Sequence, residues 1–346
     1  MLTTTLIFSG GHGHLKIKKK RVYRGGTACG CLCQEQPLLQ HNTHNRGGLL
    51  LKQPHAQCVV YMNFKIRTSS CRRECGVQKR QTVPDFVKTR VNEADPGEFP
   101  WAVSLMIKKY QFGSYPMFSY TGTGSLIHDR VVLTAAHVLE NKNLENLYAT
   151  VGEHDVFNKI LPKKAIKVTE VVVHNKFVSS NGNYNFALAF LRSSATANLP
   201  HVGTVCLPPA GFVASAGASC AFSGWGTDSA QKQIVQLTKT EVPMMTHSAC
   251  EQKLKQLFGP RFKLHASFTC AGGEVGRDIC TGGGGSPLVC PIEGQGRYVQ
   301  TGIVSWVPDG CGVDGASIVF ADVAAARPWI DQQMAEHLYS TASYTY

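Results

Sequence analysis

Val131-Val-Leu-Thr-Ala-Ala-His137 begins with a short apolar run of the kind a β-strand makes, and it ends on small residues and a histidine. Runs of the same character recur on both sides of it: Ala102–Ile107, then Ile166–Val173, Phe186–Leu191, Ala221–Ser223, Leu288–Cys290, Gly302–Trp306 and Ile318–Val323. Turn residues, Gly and Pro above all, separate them. Many short strands spaced by such turns predict an all-β sandwich or barrel. Two stretches predict helices. One is Thr246–Phe258, with Thr246 as N-cap; the other is Arg327–His337, where Trp329, Ile330, Met334 and Leu338 share a face.

Upstream of this pattern the chain changes character. Residues 1–70 hold no sustained period of 2 or 3.6 and are rich in Gly, His and Lys, and the polar stretch 78–98, with Pro84 and Pro96, reads as a linker. The expected organisation is a basic, Cys-containing segment over 1–75, a linker over 76–94 and one large domain over 95–340. Charge divides the same way. Residues 1–90 carry 16 Lys+Arg against 3 Asp+Glu, whereas residues 91–346 carry 19 against 20, so the net charge of +12 belongs to the N-terminal segment. Its run Lys16, Lys18, Lys19, Lys20, Arg21 and Arg24 could contact an anionic surface electrostatically, or be a solvated basic tail. No aromatic interleaving or nucleic-acid module accompanies it, so nucleic-acid binding is not expected.

Thirteen cysteines predict an oxidising, extracellular compartment if most of them pair. Leu2–Phe8 is a short apolar stretch broken by threonines and lacks a basic start, so a secretory leader would have to come from a different first segment. No run approaches the roughly 20 apolar residues of a membrane span, and no Asn-x-Ser/Thr sequon occurs. The CxCxC run of Cys29, Cys31 and Cys33 could suit a metal, but no ligand spacing supports zinc. The run Gly282–Gly285 lacks the Lys and Ser/Thr that follow in a phosphate-binding loop. Neither a metal nor a cofactor is expected.

Several motifs, in order, carry a resemblance. Gly97-Glu-Phe-Pro-Trp101, Gly124-Ser-Leu-Ile127 and Thr134-Ala-Ala-His137 come first; Val205-Cys-Leu-Pro208, Ser223-Gly-Trp-Gly226, Cys280-Thr-Gly-Gly-Gly-Gly-Ser-Pro-Leu-Val-Cys290, Gly302-Ile-Val-Ser-Trp306 and Trp329-Ile330 follow. Together they resemble a chymotrypsin-like, trypsin-family serine protease domain over about residues 95–338. The resemblance implies two six-stranded antiparallel β-barrels with a C-terminal α-helix and an active site between the barrels.

The chemistry of that family needs a serine nucleophile, a histidine base and a buried carboxylate that orients the histidine. His137 matches the base. The carboxylate should open an Asp-Ile-Ala-Leu run, and the matching run is Asn185-Phe-Ala-Leu188. In trypsin the same Asp-to-Asn change costs about 10⁴ in turnover because the histidine is held in the wrong tautomer. The nucleophile should be the fourth residue after Cys280, which is Gly284. A slip that recruited Ser286 is opposed by Pro287-Leu288 and Cys290, which fix the register. Active members also need a new N-terminus, freed before Ile-Val-Gly-Gly, to pair with the aspartate preceding the serine. Here Lys88-Thr-Arg-Val91 and Gly283 stand at those two positions, so cleavage after Arg80 or Arg90 would not switch on catalysis. Backbone N–H groups of Gly282 and Gly284 would remain without the interaction that positions them.

Asp278 matches the base of a pocket for Arg or Lys, while Val307 and Ile318 stand where glycines should wall it. Branched side chains there would fill the slot and leave Asp278 a relic; the alternative is an open basic-residue pocket. Family pairing implies disulfides Cys220–Cys290, Cys250–Cys270 and Cys280–Cys311, with Cys206 tethered to upstream Cys75. The bridge beside the histidine is absent from both sides, with Gly122 and Val138 at its positions. Cys29, Cys31, Cys33, Cys58 and Cys71 stay unassigned; their odd number leaves one free or intermolecular.

An upstream cysteine segment, a Cys75–Cys206 tether and glycine for serine resemble the clip-domain serine protease homologues of arthropods, although the six-cysteine clip pattern with an adjacent Cys-Cys pair is missing. The resemblance implies a non-catalytic, secreted regulator with partners in an extracellular protease cascade, namely an activating protease and a prophenoloxidase-like target. An active trypsin-type endopeptidase and an adhesion or matrix protein using the basic tail are the alternative readings.

Overall fold

The computed structural model describes residues 74–84, 86, 88, 92–112, 115–156, 160–227, 234–273, 283–308 and 317–346. Twelve strands form two closed antiparallel barrels among these residues. The first holds β1 (Ala102–Phe112), β2 (Tyr115–His128), β3 (Val131–Thr134), β4 (Leu147–Val151), β5 (Lys164–Val173) and β6 (Ala187–Leu191). The second holds β7 (Ser219–Gly224), β8 (Thr238–Met245), β9 (Phe268–Gly272), β10 (Pro287–Ile292), β11 (Arg297–Trp306) and β12 (Ser317–Asp322). Neighbours run β1-β2-β3-β6-β5-β4 in one and β7-β8-β9-β12-β11-β10 in the other, so both barrels repeat one strand order. This is the fold the motifs imply.

The strand pattern follows from burial. In β5, Ile166 and Val168 point inward while Ala165 and Thr169 face solvent, the period of two expected of a barrel wall. In β3 and β6 every residue is buried, because one face fills the barrel and the other is covered. Full burial of side chains such as Leu133, Leu188, Phe222 and Phe320 stabilises the domain by about 1.5–3 kcal/mol each. Residues 92–94 bridge to the second barrel before the chain enters the first: Glu93 pairs with Thr238, and the Ala94 N–H donates to the Leu237 carbonyl (2.9 Å).

Three helices complete the unit: α1 (Ala136–Leu139), α2 (His247–Phe258) and α3 (Val323–Glu336). Thr246 caps α2 by accepting from the Ala249 N–H (3.1 Å), at the position read from the sequence. The C-terminal helix differs from its expected bounds. It starts four residues earlier, at Val323, where Asp322 caps it by accepting from the Ala324 N–H (2.9 Å), and it runs through Pro328. Ile330 and Met334 are buried as expected, but Leu338 is 93% exposed, because the helix has ended and Leu338 takes a positive φ of 59°. Disulfides join Cys220 to Cys290 across β7 and β10, Cys250 on α2 to Cys270 on β9, and Cys75 to Cys206. Cys280 and Cys311 lie outside the described residues, as do residues 1–73 with the basic run at 16–24. Among the described residues, no helix is long and apolar enough to cross a membrane.

Candidate functional site

The site forms where one segment of each barrel meets the other. β3 leads through Ala135 into α1, which carries His137, and β6 pairs with β3 in the register Thr134↔Ala187. Asn185, two residues before Ala187, is thereby set beside the histidine. It is 2% exposed and uses both ends of its amide. Its Oδ1 accepts from the His137 backbone N–H (3.0 Å), which orients the group, and its Nδ2 faces His137 Nδ1 (2.8 Å) and donates to Ser305 Oγ on β11 (2.7 Å).

That orientation fixes the tautomer of the imidazole. An amide nitrogen only donates, so Nδ1 of His137 accepts and the ring proton sits on Nε2. The ring still reaches solvent, while the desolvation around it lowers its pKa below the ordinary histidine value. His137 is therefore a neutral donor at neutral pH, with Nε2–H directed at Gly284. A Cβ built on Gly284 would overlap His137 Nε2. The imidazole has taken the space that a side chain at 284 would use.

The glycine loop is stitched to both barrels. Gly284 O accepts from the Thr123 N–H (3.0 Å), and the Gly285 N–H donates to Val304 O (3.0 Å). Gly283 and Gly285 have φ of 71° and 83°, a region that side chains rarely adopt. A Cβ on Gly285 would run into the Thr123 carbonyl and Thr134 Oγ1, and one on Gly283 would lie 3.0 Å from the Tyr120 hydroxyl. Ser286 is fully buried beneath this loop. The Gly122 and Val138 pair is also complementary, since the Val138 methyls lie 2.6 and 2.8 Å from where a Cβ on Gly122 would sit.

Ile318 on β12 lies in the apolar interior of the second barrel, 1% exposed and clustered with Val304, Phe320 and Leu288, and partly buried Val307 packs against the same cluster. Lys88, the first residue of the segment that aligns with the family's new N-terminus, pairs through its Nζ with Asp95 (2.6 Å). Arg80 reaches Asp95 and Glu98 (2.9 Å each). Gly282 and Asp278 lie outside the described residues.

A family model described as Trypsin matches residues 88–330. The chain belongs to the trypsin family. Among curated relatives, Phenoloxidase-activating factor 2 of Galleria mellonella is 42% identical over 263 residues, 73% of this chain and 86% of that protein. Inactive CLIP domain-containing serine protease A8 of Anopheles gambiae is 34% identical over 263 residues, 74% of this chain and 70% of its own length. Inactive CLIP domain-containing serine protease A3 of Aedes aegypti is 34% identical over 267 residues, 74% of this chain and 53% of its own length.

In this trypsin-family domain the structure brings His137, Asn185 and Gly284 together, and it gathers Val307 and Ile318 in one apolar cluster. Two neighbours are not evident from the sequence reading. Ser305, which takes the second amide hydrogen of Asn185, lies inside the Gly302–Trp306 motif and had a signal in its place before Trp306. Tyr120, which stands over Gly283 and bonds Thr123 Oγ1 (2.7 Å), had none.

Proposed function

We propose that this chain is a catalytically inactive serine protease homologue, a secreted cofactor that regulates an extracellular protease cascade by binding its members. The observation that carries the reading is the reversed hydrogen bond at His137. A general base must present an unprotonated Nε2 to the nucleophile. Here Asn185 donates to Nδ1, the proton is on Nε2, and Nε2 faces a glycine. Removing the serine alone costs about 10⁶ in turnover in subtilisin, and the amide adds to that loss rather than relieving it.

The remaining positions support the same reading. Gly283 has no carboxylate to receive a new N-terminus, and Lys88 is engaged by Asp95. Branched Val307 and Ile318 at the positions of the pocket walls are read as filling the slot a basic side chain would need and leaving Asp278 as a relic. The organisation supported by the sequence is a basic, cysteine-containing segment over 1–75, a linker over 76–94 and the protease-like domain over 95–340, with Cys75 bonded to Cys206 of that domain. A further bridge Cys280–Cys311 belongs to the same framework. Relatives whose names include "Inactive" or "Phenoloxidase-activating factor" favour a role in insect immunity, with an activating protease and a prophenoloxidase-like protein as partners.

The test is reconstitution. The chain, cleaved by a trypsin-like protease, is mixed with prophenoloxidase and its activating protease, and phenoloxidase activity is followed. Activity should rise in its presence. If the chain leaves phenoloxidase activity unchanged, the cofactor role is wrong.

A further inference from the structure

The disulfide between Cys75 and Cys206 is closed over by three parts of the chain that lie far apart in sequence. Both cysteines are fully buried. Gly76 lies against the bond, and a Cβ there would come within 2.9 Å of Cys206 Sγ. Its N–H donates to the Thr204 carbonyl (2.8 Å) and its carbonyl accepts from the Tyr298 N–H (2.8 Å). Arg297, the first residue of β11, is the second part. Its Nε donates to the Cys75 carbonyl (2.9 Å), which places Nη2 3.0 Å from Cys75 Sγ and 3.3 Å from Cys206 Sγ. The third part is the tail that follows α3, where the Thr345 carbonyl oxygen lies 3.8 Å from Cys75 Sγ.

One anchor seats the tail. The Tyr344 side chain is fully buried, its hydroxyl donates to Asp331 Oδ1 (2.7 Å), and the Arg327 guanidinium lies 5.0 Å from its ring centre. The backbone on either side is laid along the segment that carries Cys206: the Ser343 carbonyl accepts from Thr204 Oγ1 (2.8 Å), and the Tyr344 carbonyl accepts from the Leu207 N–H (2.9 Å). Thr345, just beyond the anchor, is exposed, so this part of the cover borders solvent.

The guanidinium bears on the chemistry of the bond. A disulfide sulfur is a weak acceptor and a thiolate is an anion, so Arg297 stabilises the broken bond more than the intact one. In thiol exchange one sulfur is attacked and the other leaves as thiolate, faster when its pKa is low. Whichever sulfur leaves here, Arg297 stands within 3.3 Å of it. Among the described residues, the Cys220–Cys290 sulfurs meet only the Ala218 carbonyl (3.6 Å) and Thr301 Oγ1 (3.3 Å), with no cation. We propose that Cys75–Cys206 is an exchange-competent disulfide whose partner is a dithiol and whose access is gated by the tail at Tyr344 and Thr345. One thiolate of the dithiol attacks a sulfur and forms a mixed disulfide, expelling the other cysteine as thiolate beside Arg297. The second thiol then displaces the first cysteine. The dithiol is oxidised to a disulfide, and Cys75 and Cys206 take its two electrons and two protons. A chain cut after Arg80 or Arg90 loses by this step the covalent link between Cys75 and the domain.

The experiment exposes the full, uncut chain to dithiothreitol under native conditions, traps new thiols by alkylation at intervals and measures each cysteine by peptide mass spectrometry. Tyr344→Ala, which unseats the tail, should speed reduction of Cys75–Cys206 about tenfold or more. Cys220–Cys290 and Cys250–Cys270 should change by less than about twofold, since neither borders the tail. Adding Arg297→Gln to the tail variant should slow reduction of Cys75–Cys206 by about threefold or more. Tyr344→Phe keeps the ring and drops only the bond to Asp331; it should give a smaller acceleration, and it decides the matter if Tyr344→Ala does not fold. The proposal is overturned if Cys75–Cys206 keeps its wild-type rate in the tail variants, if the other two disulfides accelerate equally, or if Arg297→Gln leaves the rate unchanged.

Discussion

The histidine side and the glycine side of the cleft depart from protease chemistry in opposite ways. On the histidine side no bond has been lost. Asn185 satisfies the His137 N–H, the imidazole and Ser305, and only the direction of the two hydrogen bonds made by its Nδ2 is reversed from what a carboxylate would make. On the glycine side, atoms have been removed and neighbours have moved into the space: His137 toward Gly284, Tyr120 over Gly283, Val138 against Gly122. A polarity can be restored by one substitution, whereas a volume taken by a neighbour resists it.

Three substitutions probe that difference, from the largest effect to the smallest. Gly285→Ala drives a Cβ into the Thr123 carbonyl at a φ of 83°, and neither backbone segment can yield cheaply. We expect a loss of about 3 kcal/mol or more in urea denaturation; a loss below about 0.5 kcal/mol would mean that the loop is looser than described. Gly284→Ser meets only the tip of a side chain. His137 should swing aside at a cost of about 1 kcal/mol, the scale of an off-rotamer ring, and the variant should stay unlabelled by a serine-directed probe.

Asn185→Asp should hardly alter the fold but reverse the behaviour of His137. In the wild type, desolvation holds the His137 pKa down, as it does more strongly for His174, pushed down to about 4. A histidine whose folded pKa is lowered costs stability as pH falls below the unfolded value of about 6.5. With aspartate at 185, the carboxylate accepts Nδ1–H and favours the cation, so the His137 pKa should rise above its wild-type value. If it passes the unfolded value, the variant gains stability below about pH 6.5 and loses it as pH rises through the folded pKa. Nitrogen chemical shifts of His137 across pH read both the tautomer and the direction; an Nδ1 protonated already in the wild type would break the comparison.

The barrels were legible because their walls alternate or run fully apolar, as in β5 and β6. Strands β2, β4, β8 and β9 gave weaker signals. β2 passes through Tyr120-Thr-Gly-Thr-Gly124 and β8 contains Pro243, so neither reads as a plain apolar alternation. The early start of α3 was hidden by Arg327-Pro328, which looks like a helix opening, although Asp322 followed by Val323-Ala-Ala-Ala326 held the cap signal. At the site, residue identities came from motif order, whereas the reversed hydrogen bond, the advance of the imidazole and the cover over Gly283 are three-dimensional facts. No spacing encodes them.

The central claim of the proposed function is that no group among the described residues of this cleft can attack an acyl or phosphonyl centre. Cleaving the chain with a trypsin-like protease, removing that protease and incubating with a fluorophosphonate probe tests it most directly. The account predicts no label on the protease-like domain before or after cleavage, Ser286 being buried beneath the glycine loop. Stoichiometric labelling that disappears in Ser286→Ala would contradict it.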